Sequence, residues 1–145
     1  MPNIRHRIII SSSPEKIYSA AATVEGLQHW WTQQTSINAS EMREGTIIQF
    51  RFGEEGPDMK VLKLVPNKEV LWECVGNSRD WLGTQFQFII EVKEGKTILF
   101  FSQTGWKEES EFFAHCNCRW GYFMLSMKSY LENGKGTPYP DVIEV

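Results

Sequence analysis

The C-terminal part of the chain sets the strongest constraint on its fold. The stretch "SEFFAHCNCRWGYFMLSMKSYLENGKG" reads as one helix of about 24 residues, near ~36 Å long at the usual helical rise. Ser110 is placed to cap its start, Glu111 suits the first turn, and Gly134 supplies a stop. Phe113, Cys116, Trp120, Met124, Met127 and Leu131 recur at three-and-four spacing, and Phe112, Phe123 and Tyr130 widen that stripe on one flank. The opposite side carries His115, Cys118, Tyr122 and Ser129. A helix with so broad an apolar face needs a sheet to lie on.

The preceding residues supply that sheet. Ile4, His6, Ile8 and Ile10 alternate as a first strand. "SSSPEKIYSAAATVEG" then opens a helix, with Ser13 as cap, Pro14 at the first helical position and Glu15 in the first turn. Ile17, Ala20, Ala21 and Val24 form its apolar side; Gly26 interrupts the pattern and leaves "LQHWW" as a second short helix. Strand patterns follow at "GTIIQFRF", "MKVLKLV", "EVLWECV", "TQFQFIIEV" and "TILFFSQTGW". Their aligned faces carry Ile48, Phe50 and Phe52, then Val70, Trp72 and Cys74, then Phe86, Phe88, Ile90 and Val92. The connections "GEEGPD", "PNK" and "KEGK" are short, which implies an antiparallel meander, and "GNSRDWLG" is a longer loop. The expected class is α+β. A curved antiparallel sheet of about seven strands wraps a long final helix, with two short helices after the first strand. Residues 1–145 are read as one domain, a length that buries a core without staples.

Charge narrows the function. The net charge is -3 and no Lys/Arg cluster occurs, which argues against nucleic acid as a partner. "MPNIRHRIII" lacks the apolar core and cleavage site of a signal peptide, and no apolar run is long enough to span a bilayer. Cys74, Cys116 and Cys118 are an odd set without framework spacing, so reduced thiols and a cytoplasmic location are expected. The chain also holds nine Phe, six Trp and four Tyr, and rings this large pack either as a solid core or around a pocket.

The order of elements and three stretches carry a resemblance. "SSSPEKIYSAAATVEGLQHWW", "TGW" at 104–106 and "RWGYFMLSMKSYLENGKG" are similar to the family named after the C-terminal domain of the activator of the heat-shock-protein-90 ATPase. That family belongs to the START and birch-pollen-allergen superfamily, also called SRPBCC, so the resemblance implies a helix-grip fold with a cavity. The closing motif departs from the family pattern, reading Trp120-Gly121 rather than Gly-Trp.

Chemistry-bearing motifs are few. "HCNC" invites a metal, but Cys116 and Cys118 point about 200° apart on a helix and cannot close on one ion. His115 and Cys118 share a face, yet two ligands do not make a zinc site, and no metal is expected. His6 and His29 would need a facing carboxylate to act as acid or base, and Glu73 and Glu91 fall on the polar strand faces. No nucleophile elbow, phosphate loop or dinucleotide fingerprint occurs, so neither a catalytic residue nor a cofactor is assigned. "GEEGPD" lacks the rhythm of a calcium loop, and "GKGTPYP" reads as a tail covering a sheet edge.

The aromatic set remains. A pocket between sheet and final helix would be lined by Trp30, Trp31, Phe50, Trp72, Phe86, Phe88, Phe101, Cys116, Trp120, Phe123, Met124 and Met127, with Gln103 and Arg51 as possible polar handles. Trp30 and Trp31 pose a separate question, because adjacent helical residues point about 100° apart and cannot easily share one core direction. One ring, Trp30 with Leu27, is expected to plug the core; the other roofs the pocket mouth or packs beneath Trp81 or Trp106. The leading expectation is a non-enzymatic protein holding a small apolar or aromatic ligand. Behind it come a chaperone-associated interaction module and a polyketide-cyclase-like enzyme, with the oligomeric state left open.

Overall fold

The computed structural model describes residues 1–145. In chain order the elements are β1 (Ile4–Ile9), α1 (Pro14–Ala22), α2 (Val24–Trp30), β2 (Gln34–Ile37), β3 (Ile47–Arg51), β4 (Asp58–Val65), β5 (Glu69–Gly76), β6 (Gln85–Lys93), β7 (Lys96–Thr104) and α3 (Glu111–Asn133). The seven strands form one antiparallel sheet in the order β1-β7-β6-β5-β4-β3-β2. This is the expected α+β helix-grip arrangement, with α3 against the sheet.

Strand alternation places the rings on one face. Trp72 pairs with Phe86, Phe88 with Phe101, and Phe86 with Gln103, so residues directly across from one another share the inner surface. Phe50, Trp72, Phe86, Phe88 and Phe101 are all buried there, whereas Val92 runs past the helix and is exposed. β2 has no counterpart among the strand patterns read from the sequence. It is four residues long, polar, and lies at the sheet edge, where only Thr35 is buried and alternation is too brief to register.

Ser110 caps α3 as expected, its Oγ accepting from the Phe113 N–H at 3.1 Å, and the helix ends on Gly134. Cys116, Trp120, Phe123, Met124 and Met127 form its buried side, and Cys118 is exposed. At its far end, Lys128 donates to the Ile9 carbonyl and Glu132 accepts from the Ser11 N–H, which holds the helix beside edge strand β1.

The two short helices divide at Thr23, three residues before the break expected at Gly26. The Thr23 hydroxyl accepts from the Gly26 N–H at 3.0 Å and donates to the Ser19 carbonyl at 2.7 Å, so one side chain closes α1 and caps α2. Gly26 sits inside α2 for a different reason. A Cβ there would lie 2.6 Å from both Ala20 Cα and the Ser19 carbonyl oxygen, so the missing side chain lets the helices cross in contact. That crossing seats Trp30, whose Nε1 donates to the Ala20 carbonyl at 2.8 Å.

The C-terminal tail pairs along residues 31–33. The Tyr139 N–H donates to the Trp31 carbonyl, and the Gln33 N–H donates to the Tyr139 carbonyl. Ser126 on α3 joins the two segments, donating to the Trp30 carbonyl and accepting from the Thr137 N–H, both at 2.8 Å. No helix is long and apolar enough to cross a membrane.

Replacing Gly26 with Ala forces α1 and α2 apart; overpacking of this kind costs about 1–3 kcal/mol. Urea unfolding of Gly26→Ala should show a lower midpoint with an unchanged slope, while Gly45→Ala, at an open turn, should lose only its local backbone preference.

Candidate functional site

The site is built outward from Trp31. This residue closes α2 as its C-cap, where helical phase alone would send its side chain away from that of Trp30. The two indoles stack instead, 6.2 Å apart and 17° from parallel. Both rings are buried by protein, Trp30 at 0% exposure and Trp31 at 1%. Around Trp31 stand Phe50 at 4.3 Å, Trp120 at 4.9 Å, Phe52 at 5.6 Å, Trp72 at 6.1 Å and Trp81 at 6.4 Å between ring centroids. Of the covers anticipated for the second ring, the Trp81 loop is the one found. Trp106 lies elsewhere, against Phe112 and Phe113.

On one side of this cluster the packing stops and a cleft of about 550 Å³ opens. Its floor is Trp31, Trp81, Cys116, Trp120 and Phe123. One wall is the β3–β4 turn, with Phe52 and residues Glu54 to Pro57; the second is the β5–β6 loop, Asn77 to Asp80; the third is α3, with Phe112, His115 and Arg119. Gly56 allows the first wall to fold back. At φ +146° a Cβ would sit 2.0 Å from the Phe50 carbonyl oxygen, so no side chain can replace its hydrogen. Arg51 braces the same turn from behind, donating to the Phe50 and Gly56 carbonyls and pairing with Asp58 at 2.8 Å.

A buried polar chain fixes the floor. Trp120 Nε1 donates to Gln103 Oε1 at 3.0 Å, Gln103 Nε2 donates to Thr84 Oγ1 at 3.1 Å, and the Thr84 hydroxyl donates to the Trp81 carbonyl at 2.7 Å. Gln103 is therefore an internal strut and Arg51 a brace, and neither lines the cleft.

Of the twelve residues expected around a pocket, Trp31, Cys116, Trp120 and Phe123 line the cleft. Trp30, Phe50, Trp72, Phe86, Phe88, Phe101, Met124 and Met127 pack behind them in the contiguous core. His6 faces Gly121 of α3, its Nε2 buried with no hydrogen-bond partner; Glu73 bonds Gln85 and Glu91 pairs with Lys93, so no carboxylate reaches it. His29 stacks on Tyr130 at 4.8 Å and meets the Glu25 carbonyl through Nδ1. No three His, Cys, Asp or Glu side chains gather as a metal-binding group.

Sequence reasoning passed over Arg119, and its signal was available. Arg119 stands four residues before Phe123, the spacing at which helical side chains meet, and its guanidinium lies 5.2 Å from the Phe123 ring centroid. The loop walls carried no comparable signal, because only the sheet brings residues 54–57 and 77–80 together.

The arrangement is a helix-grip protein with an aromatic-floored cleft between the start of its long helix and two strand-connecting loops. Residues 11–132 match the family described as Activator of Hsp90 ATPase homolog 1-like protein, and the chain belongs to that family. The solution structure of an Aha1 dimer from Colwellia psychrerythraea is 47% identical, matching 94% of this chain and 100% of that one with a TM-score of 0.85. SSP2350 from Staphylococcus saprophyticus is 16% identical over 93% of this chain and 95% of its own, at TM-score 0.75. DynU16, a protein of the dynemicin biosynthetic locus, is 19% identical over 96% of this chain and 50% of its own, at TM-score 0.75. The last two share the fold alone. No curated protein matches the chain.

The cleft floor also sets a thiol's chemistry. Burial pushes the Cys116 thiol up to about 11, against the opposing pull of the Trp81 N–H and the Arg119 charge. Because the folded state holds this proton longer than the unfolded chain, its contribution to stability is complete below about pH 9 and is lost as pH rises toward 11. Chemical unfolding at pH 8 and pH 10.5 should show that loss, and Cys116→Ala should reduce it. Under native conditions a thiol reagent should modify exposed Cys118 first, with buried Cys74 reacting only on unfolding.

Proposed function

We propose that this protein binds a small apolar or aromatic ligand, without turning it over, in the cleft beneath α3. The aromatic floor is the observation that carries the reading. Trp81 presents ring surface at the base of a space of about 550 Å³, with the buried rings of Trp31 and Trp120 directly behind it, and that volume is within the ~300–1,000 Å³ range of small-molecule sites. A flat ligand there would cover the Trp81 ring, the one indole of the three left half-buried, since Trp31 and Trp120 are already buried by protein. Around this floor the loop residues are polar, so the apolar part of a ligand belongs inside and its polar part at the mouth.

The test uses the neutral dye N-phenyl-1-naphthylamine. Its fluorescence should rise saturably on titration into the protein, and Trp81→Ala, which removes a half-buried ring from the floor, should weaken binding about tenfold while the fold persists by circular dichroism. A linear, unsaturable response in the wild type would overturn the proposal.

A second reading is favoured by the full-length match to the Aha1 dimer. On that reading the protein self-associates and acts on a chaperone ATPase, as its family name suggests. Sedimentation should give a dimer at micromolar concentration, and adding the protein should raise the ATPase rate of an Hsp90. A monomer that leaves the rate unchanged excludes it.

A further inference from the structure

Among the charged groups lining the cleft, Arg119 is held differently from the rest. Glu54, Glu55, Arg79 and Asp80 are exposed at the rim, and His115 is exposed beside them, whereas Arg119 is half-buried. Its guanidinium rests over the Phe123 ring, yet it makes no salt bridge and no hydrogen bond to any protein group. A guanidinium is weakly hydrated and tolerates such a ring face, but five N–H donors are left for something else. Rim carboxylates sit in high dielectric and are screened by salt, so their field on a bound molecule is small beside that of a half-buried cation.

The geometry points to a specific ligand class: we propose that the cleft binds aromatic carboxylates, with the ring against Trp81 at the cleft floor and the carboxylate paired to Arg119. The proposal rests on the cleft being a ligand site, and it names the polar group that the site selects. Planar guanidinium and planar carboxylate match as a two-bond fork, and a charge-assisted pair in a half-buried place is stronger than its exposed equivalent. Arg119 and Trp81 line the same cleft, and the Trp81 backbone is tied through Thr84 and Gln103 to Trp120, the neighbour of Arg119 on α3, so the helix and the loop that carry them are held in register.

Three probes sharing one ring system separate the possibilities by isothermal titration: indole-3-acetate, 3-methylindole and tryptamine. Indole-3-acetate should bind about tenfold or more tightly than 3-methylindole, and tryptamine should bind more weakly than either. In Arg119→Gln the advantage of the acid should vanish while 3-methylindole binding holds. Arg119→Lys should retain part of it, because a point charge replaces the fork. Tryptamine binding more tightly than the acid, or an acid preference that survives Arg119→Gln, would overturn the proposal. If 3-methylindole binds and the acid gains nothing, the anion site alone fails. If none of the three binds, the cleft itself is not a ligand site.

Discussion

The bond from the Trp120 indole to the Gln103 side chain ties the helix, the sheet and the cleft together. Gln103 is fully buried on β7, and an unpaired amide there would cost about 1–3 kcal/mol for each stranded group. Here both ends of the amide are used, one on Trp120 and the other on Thr84, which passes the connection to the Trp81 backbone. Helix rotation, strand register and loop position are therefore coupled through directional bonds, where ring packing alone would allow slippage. Phe101 and Phe86 then settle at 4.3 Å and 5.8 Å from the Trp120 ring, as the packing around a fixed point.

This coupling explains why the room for a ligand lies at one end. Behind Trp31 and Trp120, the rings of Phe50, Trp72, Phe86, Phe88 and Phe101 fill the space between sheet and helix. Ahead of them, the facing material is turn and loop, where Gly56 bends sharply away and Asn77 to Asp80 carry small or polar side chains. Loops cannot follow the helix surface as closely as a pleated sheet does, so the gap opens where the strands end.

Much of this was legible in the sequence, and the parts that were not share a physical cause. The closing helix could be read from Ser110 to Gly134 because its spacing and caps are local signals. The strand faces of β5 and β6 were equally plain from alternation. The division of the first two helices was misplaced because Gly26 looks like a breaker in one dimension, whereas in three it is a contact point against Ala20. The Trp pair was harder still. Its two rings stack at the end of α2, an outcome that helical phase read along the chain does not anticipate. For the cleft, the chain order separates Glu55, Asp80 and Arg119 widely; nothing local reports that a seven-stranded sheet will bring them to one rim.

Five of the six indoles form one connected stack: Trp30 on Trp31, Trp31 against Trp72, Trp81 and Trp120, and Trp81 on Trp120, all within 6.4 Å. Transition dipoles this close exchange excitation faster than any one ring emits. The emission therefore belongs to the assembly and cannot be credited to a single tryptophan. Trp106, packed on Phe112 and Phe113, lies outside that stack. Ultraviolet light absorbed deep in the core can thus leave from the ring at the cleft's edge, which makes the protein's own emission a register of what touches that edge.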